Sequence, residues 1–306
     1  MKIGMTLPVT EPGWNREVLV QWVQRIERGP FASLAAGERI AFPTPDLVAL
    51  LAACAALTER VRLVTTVSVA TIHDPVLLAK QWATVDMISG GRLTLGLGSG
   101  GREEDYRAVG ADLRHRRMAV LAERVATMRR VWAGETVVDG LLRPVEPFPA
   151  QAGGPPLLAG AQGPRSMRSA ADWADGITGM TMTASAREAA GVLDMARTAW
   201  KQAGRAEPPL LNLASWFALG EPAAARAQLR KHLRRYFNWF PDEEAEQMAA
   251  SCGFAGTGVE LEAFLQALAD LGTDEFVFIP TSIDPREVDR VAEVVASFSG
   301  GATGGR

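Results

Sequence analysis

The 306-residue chain has little cysteine and no long hydrophobic run. Its two cysteines, Cys54 and Cys252, lie far apart in the sequence and are too few for a disulfide framework, which favours a reducing cytoplasm. The longest apolar run, Leu47–Leu57, is too short to span a bilayer. The first residues hold one lysine and lack the apolar stretch of a signal peptide. We therefore expect a cytoplasmic protein that does not enter a membrane.

Several catalytic and metal-binding motifs are also missing. The three histidines, His73, His115 and His232, are scattered and form no H-x-x-H pattern, so we expect no dedicated metal site. The absence of a P-loop and of a G-x-S-x-G motif argues against a P-loop nucleotidase and an α/β-hydrolase. The four lysines avoid the predicted carboxyl ends of strands, which leaves a Schiff-base aldolase without a nucleophile.

A positive net charge is missing as well. The net charge is −3, with 47% hydrophobic and 22% charged residues, as is typical of a globular protein. The chain as a whole therefore does not attract polyanions. Residues 230–240 mix arginines with aromatic side chains, a pattern also found in single-stranded nucleic-acid sites. With this net charge we expect no nucleic-acid partner, and we interpret the segment as a helix with one solvated face and an aromatic lid.

What the sequence does contain is a regular alternation of strand-like and helix-like segments. Residues 61–70 are rich in β-branched side chains and predict a buried parallel strand. Eight such strand–helix units follow one another without a linker, which predicts an α/β TIM (β/α)8 barrel with insertions. A doubly wound sheet is the alternative. We expect one domain over residues 1–298 and a disordered tail over residues 299–306. The Asp-Gly pair within residues 137–142 predicts a β-hairpin.

A glycine-rich stretch, SGGRLTLGLGSGG at residues 89–101, raises the question of a nucleotide site. Gly96, Gly98 and Gly101 match G-x-G-x-x-G, but an acidic segment and a long helix follow, where a dinucleotide-binding unit needs a second strand. Two interpretations remain. The glycines let a crowded barrel strand pack, or they leave room for a flat ligand at the carboxyl end of the strand.

Three stretches resemble the bacterial luciferase-like superfamily of FMN-dependent monooxygenases and coenzyme F420-dependent oxidoreductases. The longest is HDPVLLAKQWATVDMISGGRLTLGLGSG at residues 73–100. The others are SVAT at residues 68–71 and AGAQGPR at residues 159–165. The resemblance implies a TIM barrel with a flavin or deazaflavin across its carboxyl-terminal mouth. It also implies a non-prolyl cis peptide bond at Ser68–Val69.

The resemblance implies cofactor-binding residues after three strands. They are Ser68, Val69 and Thr71 after the third strand, Gly98 and Ser99 after the fourth, and Gly160, Ala161, Gln162, Gly163, Pro164 and Arg165 after the fifth. In the last group, glycine-rich backbone turns into a helix. Such backbone presents converging N–H donors, so we expect this loop to bind the cofactor phosphate.

The chain departs from the family pattern at two places. Many F420-using relatives end the second strand with an Asp-His pair, whereas this chain has Glu38 and Arg39. We predict that both are catalytic. Because Arg39 stays protonated and cannot act as a base, we expect it to contact an anionic group. Some relatives carry an acid where this chain has Gly101, so the acid is either moved to Glu103 or Glu104 or absent.

These observations predict an oxidoreductase that uses reduced F420 for hydride transfer to a small-molecule substrate. The alternatives are an FMN-dependent monooxygenase of the same fold and a degenerate barrel that binds a flavin without turnover. A TIM-barrel lyase or hydrolase without a redox cofactor is a third alternative. A flavin or F420 reductase is the expected supplier of reduced cofactor, and a homodimer is the expected assembly.

Overall fold

Short apolar strands and helices alternate through residues 1–301, the part of the chain that this computed structural model describes. The strands are β1 (Lys2–Thr6), β2 (Ser33–Ala36), β3 (Arg62–Thr65), β4 (Ser68–Val69), β5 (Leu93–Gly98), β6 (Leu157–Ala159), β7 (Gly176–Met180), β8 (Leu210–Leu219), β9 (Phe254–Gly256) and β10 (Glu275–Pro280). The helices are α1 (Arg16–Arg28), α2 (Leu47–Leu57), α3 (Pro75–Ser89), α4 (Glu103–Ala108), α5 (Met118–Trp132), α6 (Pro164–Ala171), α7 (Ala186–Gln202), α8 (Pro222–Tyr236), α9 (Asp242–Ser251), α10 (Gly258–Asp270) and α11 (Arg286–Gly301).

Eight of the strands form a closed parallel barrel surrounded by helices. Their order is β10-β1-β2-β3-β5-β6-β7-β8, and β10 pairs again with β8. Of the remaining two strands, β4 pairs with β5 and β9 pairs with β8. The predicted TIM barrel is therefore confirmed, and the doubly wound alternative is wrong because an open sheet has no pairing between its first and last strands.

The helices begin where the sequence provides caps. Asp46 Oδ1 accepts the N–H of Ala49 at 2.8 Å at the start of α2. Asp74 Oδ1 accepts the N–H groups of Val76 and Leu77 at 3.0 and 2.9 Å, and Pro75 occupies the first turn of α3. Both carboxylates satisfy amides that have no partner inside their helix.

The chain divides into two compact units. The first comprises residues 1–34 and 179–194 and the chain from residue 211 onward. In it, buried Glu275 accepts hydrogen bonds from Ser33 Oγ at 2.5 Å and from Asn212 Nδ2 at 3.1 Å. In the parallel register of β10 and β8, Glu275 lies opposite Asn212. Four residues nearer the carboxyl ends of these two strands, Ile279 lies opposite Trp216. Side chains on strands alternate between faces, so these two pairs share one face of the sheet.

The second unit comprises residues 35–178 and 195–210. Its helix α3 packs against α2 and α5. Trp82 on α3 is fully buried, and Trp132 at the end of α5 donates its indole N–H to the carbonyl of Ala79 at 2.9 Å. Arg92 donates to the carbonyls of Ala55, Thr58 and Val61 and so holds the segment between α2 and β3.

The predicted strand over residues 61–70 is interrupted. Strand β3 ends at Thr65, a cis peptide bond joins Thr66 to Val67, and β4 follows. The predicted cis bond at Ser68–Val69 is wrong. Ser68 and Val69 pair in parallel with residues 97 and 98, and a strand ladder requires extended trans backbone at both positions.

The predicted hairpin over residues 137–142 is also wrong. The structure has a turn with Gly140 at φ +81° but no strand between α5 and β6, all of which lies within the described residues. Leu142 is 99% exposed, so one arm of the predicted hairpin has no core to pack on. An isolated two-stranded hairpin is marginal in water.

The carboxyl-terminal prediction is only partly covered by the structure. Helix α11 extends to Gly301, so the first three residues of the predicted tail are helical, and residues 302–306 lie outside the described part of the chain. The single domain over residues 1–298 stays a prediction. Among the helices of residues 1–301, none combines the length and apolar character needed to cross a bilayer.

Candidate active site

The carboxylate of Glu38 lies two residues beyond the end of β2 and is almost fully buried. Its Oε2 accepts the N–H of Val69 at 2.6 Å and the hydroxyl of Ser68 at 3.2 Å. Its Oε1 lies 2.7 Å from Nε2 of His73. The structure therefore brings together three residues that the sequence predicted, Glu38, Ser68 and Val69, and adds His73, which sequence reasoning missed.

The imidazole of His73 is hydrogen-bonded to Glu38. Burial disfavours its charged form, but the hydrogen bond and the negative charge of Glu38 outweigh burial, so the pKa of His73 is raised above its ordinary value. The sequence analysis set this histidine aside because no second ligand lay nearby. The sequence feature that could have identified His73 is its position as the first residue of the stretch at residues 73–100 that resembles the family. It directly precedes Asp74 and Pro75, which start α3.

Arg39 is held by an acid that the sequence analysis did not identify. Arg39 Nε lies 3.0 Å from Oδ2 of Asp105, and the two side chains are 8% and 7% exposed. Oδ1 of Asp105 accepts the N–H groups of Ile40 and Ala41 at 2.9 and 2.7 Å. The loop after β2 is thus tied to α4 by one carboxylate. The predicted contact of Arg39 with an anionic ligand group stays a prediction.

The functional acid expected beyond β5, at Glu103, at Glu104 or absent, stays a prediction, and Asp105 is the acid of α4 that is buried. Glu103 pairs with Arg107 on the exposed side of α4, and Glu104 is exposed. A six-residue helix places only part of its surface against the core, and Asp105 lies on the buried part. The side-chain direction along α4 decides which acid enters the site, and an acidic run by itself does not reveal it.

A second hydrogen-bonded group joins the segments after β4 and β5. Thr71 Oγ1 donates to the carbonyl of Ser99 at 3.1 Å and lies 2.5 Å from the hydroxyl of Tyr106. The Tyr106 hydroxyl donates to the same carbonyl at 2.6 Å. Burial raises the pKa of Tyr106 above its ordinary value, so the phenol stays protonated at neutral pH. Thr71 and Ser99 were predicted for this site, and Tyr106 was not.

Bare backbone surrounds the half-buried side chain of Val67. A Cβ added to Gly98 would lie 2.7 Å from one Val67 methyl carbon, and a Cβ added to Gly160 would lie 3.0 Å from the other. Gly160 also donates its N–H to the carbonyl of Leu97 at 2.8 Å. Because neither glycine has a Cβ, Val67 packs directly against the backbone of both, and we call Val67, Gly98 and Gly160 together the cradle.

The loop after β6 contains the remaining predicted residues. Ala161 is buried, Gln162 and Arg165 are exposed, and Pro164 opens α6. The N–H groups of Gln162 and Gly163 point to the hydroxyl of Ser166 at 3.3 and 3.1 Å. These amides converge on one oxygen, which is the arrangement that a phosphate oxygen also requires. Phosphate binding by this loop stays a prediction.

A metal has no prepared site in the part of the chain that the structure describes. Over residues 1–301, no group of three or more histidine, cysteine, aspartate or glutamate side chains is placed to hold an ion.

Comparison with known proteins supports the same fold and class. A family model described as luciferase-like monooxygenase matches residues 1–277. An uncharacterized protein of Mycobacterium tuberculosis is 39% identical over 85 residues, which cover 28% of this chain and 30% of that protein. An F420-dependent glucose-6-phosphate dehydrogenase of Intrasporangium calvum is 35% identical over 134 residues, covering 38% and 40%. A pyrimidine monooxygenase of Pseudomonas syringae pv. syringae is 29% identical over 157 residues, covering 44% and 43%. The chain thus spans less than half the length of these relatives.

Solved structures match over almost the whole chain. Monooxygenase RslO1 from Streptomyces bottropensis has a TM-score of 0.78 at 23% identity and covers 98% of this chain and 100% of its own. An F420-dependent secondary alcohol dehydrogenase, in complex with an F420-acetone adduct, has a TM-score of 0.79 at 16% identity, covering 97% and 98%. At these identities the likeness establishes the fold.

Proposed function

Because this chain belongs to the luciferase-like monooxygenase family, which makes it an oxidoreductase, we propose that it binds reduced coenzyme F420 and transfers a hydride to a small-molecule substrate. The F420-dependent dehydrogenases among its relatives and structural neighbours support this choice. The SVAT sequence at residues 68–71 supports it as well, because it lies where β4 meets β5 beside the cradle.

The cradle around Val67 is the observation that carries the proposal. Gly98 and Gly160 lie next to Val67 and have no Cβ to cover its side chain. The buried carboxylate of Glu38 accepts the N–H of Val69 in the neighbouring strand β4. A flat, uncharged ring face can pack on the valine while its polar edge reaches backbone groups at the strand ends. A phosphate bound at the loop of residues 160–165 would replace the Ser166 hydroxyl as the acceptor of the Gln162 and Gly163 N–H groups.

The protein residues have separate tasks in this proposal. When bound, the reduced deazaflavin supplies the hydride. Asp105 holds the loop of Arg39 in place, Glu38 fixes β4 through Val69, and Arg165 adds a positive charge near the phosphate loop. We also propose a cytoplasmic location, with a reductase as the source of reduced cofactor and a homodimer as the assembly.

Cofactor titration tests the choice of F420. We expect F420 to quench tryptophan fluorescence at concentrations at least about tenfold lower than FMN does, a difference of about 1.4 kcal/mol in binding free energy. Riboflavin is the matched control, because it has the FMN ring without the phosphate and should bind more weakly than FMN. Binding of FMN with no binding of F420 would exclude the proposed cofactor and leave the family assignment intact.

An FMN-dependent monooxygenase is the second candidate. The match to a pyrimidine monooxygenase supports it, and the cradle accommodates either ring because both are flat tricyclic systems. Oxygen consumption that depends on reduced FMN and on an added substrate would favour this candidate. Tight cofactor binding with neither hydride transfer nor oxygen consumption across a substrate panel would favour a barrel without turnover.

A further inference from the structure

The imidazole of His73 has no task in the function proposed above. Its Nε2 is occupied by Glu38, whose other oxygen is occupied by the N–H of Val69. The Glu38 side chain is 3% exposed, whereas the His73 side chain is 24% exposed. Of these two side chains, the imidazole is therefore the one that solvent can reach. Because Nε2 contacts Glu38, Nδ1 is the ring nitrogen that can bind a ligand or water.

Charged groups from three other elements act on this imidazole. Glu38 from the loop after β2 and Asp46 from the start of α2 both favour the imidazolium form. Arg124 from α5 opposes it. The two carboxylates prevail together over burial and the arginine, so protonated His73 is populated to higher pH than an ordinary histidine.

Solvent reaches the imidazole of His73 directly, because its side chain is 24% exposed. Water at the exposed part of the ring can return a proton to it after each turnover.

We propose that His73 is the proton donor of the site and that Glu38 is its positioning residue, an inference that rests on the proposed hydride transfer and applies to a carbonyl substrate. The hydride adds to the carbonyl carbon and carries both electrons, and the carbonyl oxygen takes the proton from Nδ1 of the imidazolium. With the reduced deazaflavin reacting as the anion that lacks a proton on its ring nitrogen, the products are the alcohol, the neutral oxidised ring and neutral His73. Water then protonates Nδ1 again, while Nε2–H stays donated to Glu38 and the charge of Glu38 does not change.

Histidine-detected NMR on the full chain tests this assignment without a substrate. The signal that disappears in His73→Asn is His73. We expect it to titrate at higher pH than an unperturbed histidine, and to move to lower pH in Glu38→Gln, because the variant loses the negative charge. The His232 signal in the same sample and the exposed variant Glu104→Gln are the matched controls, and neither should change. An unchanged His73 titration in Glu38→Gln would overturn the positioning role.

Cofactor addition and turnover complete the test. We expect bound F420, or bound FMN if F420 fails, to shift the His73 signal but not that of His232. With acetone and acetaldehyde as probes, His73→Gln should lose about 10²-fold in turnover with cofactor affinity retained, and the pH dependence of turnover on the alkaline side should disappear.

If F420 fails to bind but FMN binds, the proposed F420-dependent function is excluded, and the assignment of His73 as proton donor is still tested with FMN. An unshifted His73 signal with cofactor bound, or a chain that binds neither cofactor, overturns the inference. If Glu38→Gln unfolds, His73→Gln decides alone, because it leaves the Val69 and Ser68 contacts of Glu38 in place.

Discussion

At the residue scale, single buried carboxylates organise the candidate site. Asp105 accepts hydrogen bonds from one side chain and two backbone amides of the loop after β2, and Glu38 accepts them from β4 and His73. Each carboxylate leaves water and gains several charge-assisted hydrogen bonds in return. Removal of one carboxylate therefore takes the acceptor away from several donors at once.

We expect Asp105→Ala to lower the free energy of unfolding by about 3–5 kcal/mol, because it removes the buried carboxylate that pairs with the guanidinium of Arg39. Asp105→Asn keeps an acceptor for Ile40 and Ala41 and should cost less. Urea denaturation measures both changes. The control is Glu103→Ala, which breaks the exposed pair with Arg107 and should cost about 0–1 kcal/mol. Equal effects of the aspartate and the glutamate variants would show that Asp105 is not an anchor.

At the element scale, the strand ends and their loops decide where a ligand can bind. Strands β4 and β5 pair at their carboxyl ends, and β6 follows with Gly160 directly after it. The glycines at these ends let two loops approach Val67 closely. A side chain introduced at one strand end therefore changes the cradle without changing the pairing of the barrel strands.

We expect Gly160→Val to weaken F420 or FMN binding by about tenfold or more while the far-ultraviolet spectrum stays unchanged. The added Cβ would lie 3.0 Å from a Val67 methyl group, and its branches would extend into the cradle. Calorimetric titration measures the affinity. Gly191→Val on α7 is the matched control, since nothing lies within 4 Å of a Cβ at that glycine. Parent-like affinity in Gly160→Val would move the cofactor away from this loop.

At the scale of the whole molecule, two histidines, His73 and His232, make stability depend on pH in opposite directions. His232 on α8 is 1% exposed, and its Nδ1 contacts Glu11, which also pairs with Arg235. Burial outweighs the attraction of Glu11, so the pKa of His232 is lowered. His73, whose pKa is raised, contributes stability that is present at low pH and is lost as pH rises through its pKa.

The pH dependence of stability that His232 causes has the opposite sign to that of His73. The unfolded chain binds a proton at the ordinary pKa of 6.5, whereas the folded chain resists protonation, so acidification below that value favours unfolding. We expect His232→Gln to reduce the loss of stability between about pH 7 and pH 5, as measured by urea denaturation across that range. His115→Gln, at a residue that is not buried, should keep the slope of the parent. A parent-like slope in His232→Gln would contradict the effect of burial.

The sequence by itself determined the barrel, most element positions and the family. Strand–helix alternation and caps such as Asp74 depend on residues close together in the chain, and local patterns report local structure well. It also indicated Glu38, the strand-end glycines and the loop of residues 160–165. The same local reasoning predicted a hairpin at residues 137–142 that does not form, because local turn preference cannot supply a core for its arms.

Only the tertiary structure decided which side chains meet. Glu38 and His73 are 35 residues apart, and Arg39 and Asp105 are 66 apart. Their contacts depend on the register of neighbouring strands and on which side of a short helix faces the core, neither of which is encoded in local periodicity. For that reason the sequence did not single out Asp105 or His73, and it left the acid beyond β5 at Glu103, at Glu104 or absent.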